Sequence, residues 1–148
     1  MNISIILCKE TKSKQNIFIL LECRKNPLYH CSMTYDEAIE KIGLDKEGTL
    51  KRFSGNEALM KKFVLKFTQD KTLSGLKLAV QNKDYPSIEE TSHTLKGVSG
   101  NLGFTKLYED SAALCNAVRE KDFSKADSLA PKVIELCESI NGILSSVE

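Results

Sequence analysis

HTLKGVSGNLG, residues 93–103, lies within an apolar repeat of helical period yet carries three glycines, Gly97, Gly100 and Gly103. A glycine inside a helix costs about 0.8–1.0 kcal/mol relative to alanine, so a cluster of them needs a reason. Ile88, Leu95 and Leu102 recur at seven-residue intervals with Thr91 and Val98 between them, which defines an inward face. Glu89, His93, Lys96, Gly97 and Gly100 are three, four or seven residues apart on the opposite face. The spacing predicts a helix over 85–102, capped by Asp84 with Pro86 in its first turn, that exposes His93. Gly97, one turn after the histidine, removes a Cβ from the surface beside it.

Working outward, the same period recurs on both sides. A short helix is expected near 35–42, then a turn of helix carrying Leu50 and Phe53 that ends at Gly55. Met60, Phe63, Val64 and Phe67 predict a helix over 56–69, and Leu73, Leu76 and Val80 another over 72–82. Phe104, Leu107, Ser111, Leu114 and Val118 mark a helix over 104–120. Ala126, Leu129, Val133, Leu136, Ile140 and Ile143 or Leu144 mark the last, over 124–146, with Ser124 as its cap and Pro131 bending it or delaying its start.

Short connections between amphipathic helices favour antiparallel neighbours, so the expected fold is all-α: an antiparallel up-down four-helix bundle with additional short N-terminal helices. The four core helices are expected to be roughly 56–69, 72–82, 85–102 and 104–120, with 124–146 as a fifth that shares the bundle and the short 72–82 segment either continuing it or serving as a connecting turn; the sequence leaves open which helices make the inner four. Residues 1–32 read as a separate, mobile extension, and 33–148 as the helical domain. In the extension ISIIL (3–7) and IFILL (17–21) flank the polar KETKSKQN. A start of translation at Met33 is one reading, since Thr34 and Glu37 have capping-box spacing.

The 148 residues carry 21 basic and 20 acidic side chains, a net charge of +1, which argues against a nucleic-acid partner. The apolar runs fall short of the roughly 20 residues that span a bilayer, and no signal peptide is legible at the N-terminus. Cys8, Cys23, Cys31, Cys115 and Cys137 form no CxxC pair and read as free thiols in a reducing compartment. Together these features predict a cytoplasmic, monomeric protein without membrane contact.

Three readings compete for His93. It is a solvated histidine, or a metal ligand with Glu89, Glu90 and the distant His30, or a nucleophile that carries a phosphoryl group. The metal reading is the poorest, because His30, the one other histidine, lies in the extension; a metal-dependent bundle enzyme is disfavoured too, since the inward faces lack Glu-x-x-His pairs. In the third reading Lys96 offers an ammonium to phosphoryl oxygens as they gather charge, Gly97 lets another protein's active site descend on the helix, and Ser99 or Asn101 adds a donor. No glycine-rich P-loop is present, which argues against autophosphorylation from ATP.

SHTLKGVSGNLG resembles the signature of the histidine-containing phosphotransfer (HPt) domain, H-x-x-K-G followed after five residues by G, filled by His93, Lys96, Gly97 and Gly103. The resemblance extends over about residues 33–146, from GTLKRFSGNEALMKKFVLKF through KDYPSIEETSHTLKG to EKDFSKADSLAPKVIELCESI. It implies a phosphocarrier in a two-component multistep phosphorelay. Such a protein accepts the group from a receiver-domain aspartyl phosphate and passes it to another receiver aspartate, without kinase activity of its own. His93 would be phosphorylated through Nε2, with Lys96 stabilising the group, Gly97 giving clearance and Gly103 ending the helix. Glu89, Glu90, Gly100 and Asn101 are the expected partner-binding positions. The partners implied are response-regulator receivers or the receiver of a hybrid histidine kinase, and the chain itself needs no cofactor because Mg²⁺ resides on the receiver. The position at which some members place an auxiliary polar residue holds Cys115 or Asn116. The other functional reading is a helical docking module that binds and inhibits a receiver or histidine kinase without phosphotransfer.

Overall fold

The computed structural model describes residues 33–147. The expectations for residues 1–32, including His30 and Cys8, Cys23 and Cys31, lie outside the described residues. In chain order the helices are α1 (Tyr35–Ile42), α2 (Lys46–Arg52), α3 (Glu57–Lys66) with a 3₁₀ turn at Phe67–Gln69, α4 (Thr72–Gln81), α5 (Tyr85–Leu102), α6 (Thr105–Arg119) and α7 (Phe123–Ser145). Among the described residues the only extended pairing is an isolated bridge between Met33 and Val147, where the Met33 amide donates to the Ser146 carbonyl at 3.1 Å.

Side-chain caps set most of the boundaries. Thr34 and Glu37 form the expected capping box. Asp45, Asn56, Asp84 and Asp122 each accept the amide three residues on, satisfying a donor that the helix start leaves orphaned. The last helix therefore begins at Phe123 behind Asp122, one residue before the expected cap, Ser124. Lys121, in the left-handed conformation at φ 58°, turns the chain so that Asp122 reaches the Lys125 amide. Pro131 lies inside α7 and neither delays nor ends it.

α4, α5, α6 and α7 pack in succession, α4 also meets α7, and the α5–α6 contact is the most extensive. Glu89, early in α5, pairs with Arg119 at the end of α6, whereas Gly100, late in α5, faces Tyr108 in the first turn of α6, so these two helices run in opposite senses. α4 and α7 do likewise, through Lys77 with Glu138 and Lys83 with Asp127. The 72–82 segment thus continues the bundle. The expectation that 56–69 supplies a core helix is corrected: α3 lies at the side, and α7 takes that place. α3 ends at Lys66 and buries only Met60 and Val64, with Phe67 in the following turn. Phe63 is 44% exposed, its ring centroid 5.6 Å from that of Phe53, and it is not the core residue its spacing suggested.

The core stripes are otherwise close to the periodic expectation. All five positions of the expected stripe, Phe104 just before α6 and Leu107, Ser111, Leu114 and Val118 within it, are buried. α7 buries Ala126, Ala130, Val133, Cys137, Ile140 and Leu144, and leaves Leu129 and Leu136 half-buried at the edges. In α5 the buried residues are Ile88, Ser92, Leu95, Ser99 and Leu102, while Thr91 and Val98 are only half-buried. Serine is tolerated inside because each hydroxyl bonds back to its own helix: Ser92 Oγ donates to the Glu89 carbonyl at 3.0 Å and Ser99 Oγ to that of Lys96 at 3.1 Å.

Gly103 ends α5 at φ 78°, with its amide bonded to the Ser99 carbonyl. Its own carbonyl accepts the Asp45 amide at 3.0 Å, and a Cβ at this position would overlap Thr49 Oγ1. Gly103→Ala should therefore destabilise the fold by about 2–3 kcal/mol from left-handed strain plus the clash. Thr49→Ala in the same chain should recover the clash component, as read by denaturant unfolding. A second expectation concerns pH. Burial pushes the Cys137 thiol from 9.0 up to about 12 and, against the opposing pull of the Lys46 ammonium, raises the Tyr35 phenol from 10.0 to about 12. Both groups are held neutral by the fold, so their stabilisation is complete below their unfolded values and is lost as pH rises through the folded ones. The thermal midpoint should fall above pH 9, and more shallowly in Cys137→Ala than in the wild type.

Candidate functional site

Once Ile88, Leu95 and Leu102 face inward, the rest of α5 has no freedom. His93 is forced to the outside near the middle of the helix and is exposed. Glu90, Gly97 and Asn101 are exposed with it, and Glu89, Lys96 and Gly100 are half-buried toward the flanks. The structure thus places the expected positions on the outer side of one rigid helix, where neighbouring turns hold them without help from loops.

The glycines differ in their surroundings. A Cβ added at Gly97 would find nothing within 4 Å, so the fold does not require glycine there. What it leaves is bare backbone one turn from an exposed imidazole. A Cβ at Gly100 would lie 3.1 Å from Cδ2 and 3.4 Å from Cε2 of Tyr108, so this glycine has a reason inside the molecule.

The charged groups are also distributed unevenly. Arg119 Nε donates to Glu89 Oε1 at 2.7 Å, and this bond raises the guanidinium pKa above its ordinary value. Glu89, expected to meet a partner, is engaged across the α5–α6 seam, whereas Glu90 faces a groove lined by Gly75, Leu78, Thr91 and Thr94. Lys96 places Nζ 6.0 Å from the Tyr108 ring centroid. Asn101 lines a different groove, of about 640 Å³, with Phe53, Phe63, Phe67, Arg52 and Lys66. It is therefore eight residues along the helix from His93 and beside a surface of its own.

On α6, Cys115 is buried and Asn116 exposed, so of the two only Asn116 offers a polar group to the surface. Among the described residues no three His, Cys, Asp or Glu side chains gather as a metal site. No helix among them is long and apolar enough to cross a membrane. Sequence reasoning missed Tyr108 and Arg119, which reach the site from a neighbouring helix. Arg119 stands 30 residues from Glu89, beyond any local spacing rule.

The family model of the Hpt domain matches residues 64–144, from α3 through α7, more than half of the chain and with His93 inside the match. The chain belongs to the Hpt domain family, helical modules that take part in phosphorelays with receiver domains and are not kinases. Neither a curated protein nor a solved structure gave a match.

Two substitutions at Gly97 separate the demands of the fold from those of a partner. Gly97→Ala should raise stability by roughly 0.8–1.0 kcal/mol, because it adds helix propensity in open space. Gly97→Glu should keep the fold but weaken partner docking or transfer through bulk and charge. Circular dichroism melts beside a receiver-binding titration check both, and undiminished binding and transfer by Gly97→Glu would refute the clearance argument.

Proposed function

We propose that this protein is a histidine phosphocarrier, with His93 as the residue that holds the phosphoryl group between two receiver domains. The observation that carries the reading is the open backbone at Gly97, one turn from an exposed His93, in a fold that gives Gly97 no internal neighbour. An approach to the imidazole from outside is what such a surface permits. Nucleophile, cation and clearance then occupy positions i, i+3 and i+4 of one helix.

In the forward step the Nε2 lone pair of neutral His93 attacks phosphorus in line. The N–P bond forms as the P–O bond to the receiver's aspartate breaks, and the electron pair leaves with that carboxylate. The proton on Nδ1 stays in place, so the phosphorylated ring is cationic, and Lys96 Nζ meets the charge on the phosphoryl oxygens. The reverse sequence delivers the group to the aspartate of a second receiver. Mg²⁺ is supplied by the receiver, which leaves this chain with little to do beyond positioning. Residues 33–148 act as the transfer domain, and Glu90, with the half-buried Glu89 and Gly100 and the more distant Asn101, borders the docking face. We assign the protein to the cytoplasm as a monomer that binds neither nucleic acid nor membrane, a setting that suits the buried free thiols of Cys115 and Cys137.

Incubation with a phosphorylated receiver should label the wild type with an acid-labile, alkali-stable phosphate. His93→Gln should remain folded, bind the receiver and take no label. A receiver that binds the wild type tightly but never transfers would replace this reading with the docking inhibitor.

A further inference from the structure

Tyr108 has no place in the transfer chemistry as described, yet the fold makes specific room for it. It stands in the first turn of α6, its amide donating to the Phe104 carbonyl at 2.9 Å, and the residue is 41% exposed. The ring lies against the bare backbone of α5 at Gly100, where even a methyl group would come within 3.1 Å of it. Lys96, one turn earlier on α5, carries its ammonium 6.0 Å from the centre of that ring. This is about the outer limit at which an ammonium is drawn to an aromatic face. Lys96 is half-buried, so its methylene stem is packed while the charged end reaches outward.

We propose that Tyr108 is a positioning residue for Lys96: the ring seated on Gly100 confines the ammonium to the α6 flank of the face that exposes His93 before a phosphoryl group arrives. The inference rests on the reading of His93 as the phosphoryl acceptor and explains why Gly100 as well as Gly97 lacks a side chain. A lysine on a helix surface samples many rotamers, and the transfer step needs its charge in one region. An aromatic face that attracts the ammonium narrows that search before the reaction, so less reorganisation is left for the transition state. Gly97 opens the site to the partner, and Gly100 seats the group that orders the cation.

The test compares single-turnover transfer from a phosphorylated receiver in Tyr108→Phe, Tyr108→Leu, Lys96→Met and the Tyr108→Leu/Lys96→Met double variant. Tyr108→Phe keeps the ring face and should transfer within about twofold of the wild type. Tyr108→Leu should be slower by about two- to fivefold, the rate equivalent of an exposed cation–π contact. In the Lys96→Met background the same change should cost nothing further. A full additional loss in the double variant would mean that Tyr108 touches the receiver itself and would overturn the proposal, as would wild-type speed in Tyr108→Leu. Proton NMR gives a readout independent of transfer: the Lys96 ε-methylene should be shifted upfield by the ring in the wild type and Tyr108→Phe, and released in Tyr108→Leu. Absence of that shift overturns the positioning role alone. A wild type that accepts no phosphate from any receiver, with the shift intact, overturns the phosphocarrier reading and this role with it.

Discussion

Everything at the site follows from the burial of one stripe of α5. Ile88, Ser92, Leu95, Ser99 and Leu102 are sequestered against the other bundle helices, and a helix with one face fixed has its opposite face fixed too. The stripe alternates bulky and small residues, and its serines satisfy their hydroxyls on their own helix. α5 therefore gains its most extensive neighbour, α6, without leaving its own serine hydroxyls unpartnered. That seam brings Tyr108 and Arg119 to the flank of the exposed face. The bundle is in this sense a device for aiming a single imidazole outward from a packed helix.

The three glycines of residues 93–103 have three separate physical reasons. At Gly97 nothing inside the molecule approaches, so the missing side chain is addressed to something outside it. At Gly100 the vacancy is filled by an aromatic ring from the next helix. At Gly103 the backbone itself requires glycine, through φ 78° and the close approach of Thr49. Their combined propensity penalty in and around one helix is offset by packing in the bundle rather than by local preference.

Much of this was legible in the sequence because it is local. The 3.6-residue period located α4 to α7, the Asp84 and Thr34 caps followed from neighbours within three residues, and the exposure of His93 followed from the apolar face behind it. Errors arose where tertiary packing chose between locally equivalent options. Phe63 fits the helical stripe of α3 as well as Val64 does, but α3 sits at the side of the bundle and only one of the two is buried. A heptad count favours Thr91 and Val98 over Ser92 and Ser99 because it weighs apolarity, yet the two serines are fully buried and the other pair is only half-buried. Glu89 appeared free for a partner because its ion pair lies across two helices, and Tyr108 was invisible as a site residue for the same reason.

The tie between the Asp45 amide and the Gly103 carbonyl joins the short α1–α3 layer to the end of the histidine-bearing helix. That layer packs on the bundle less extensively than the four long helices pack on one another. Less extensive packing lowers the cost of a local opening in which α1–α3 part from α4 to α7. Such an opening would loosen the Gly103 end of α5 and the aromatic groove beside Asn101. It would leave the Glu89–Arg119 seam at the other end intact, so the two flanks of one rigid helix differ in how readily they yield.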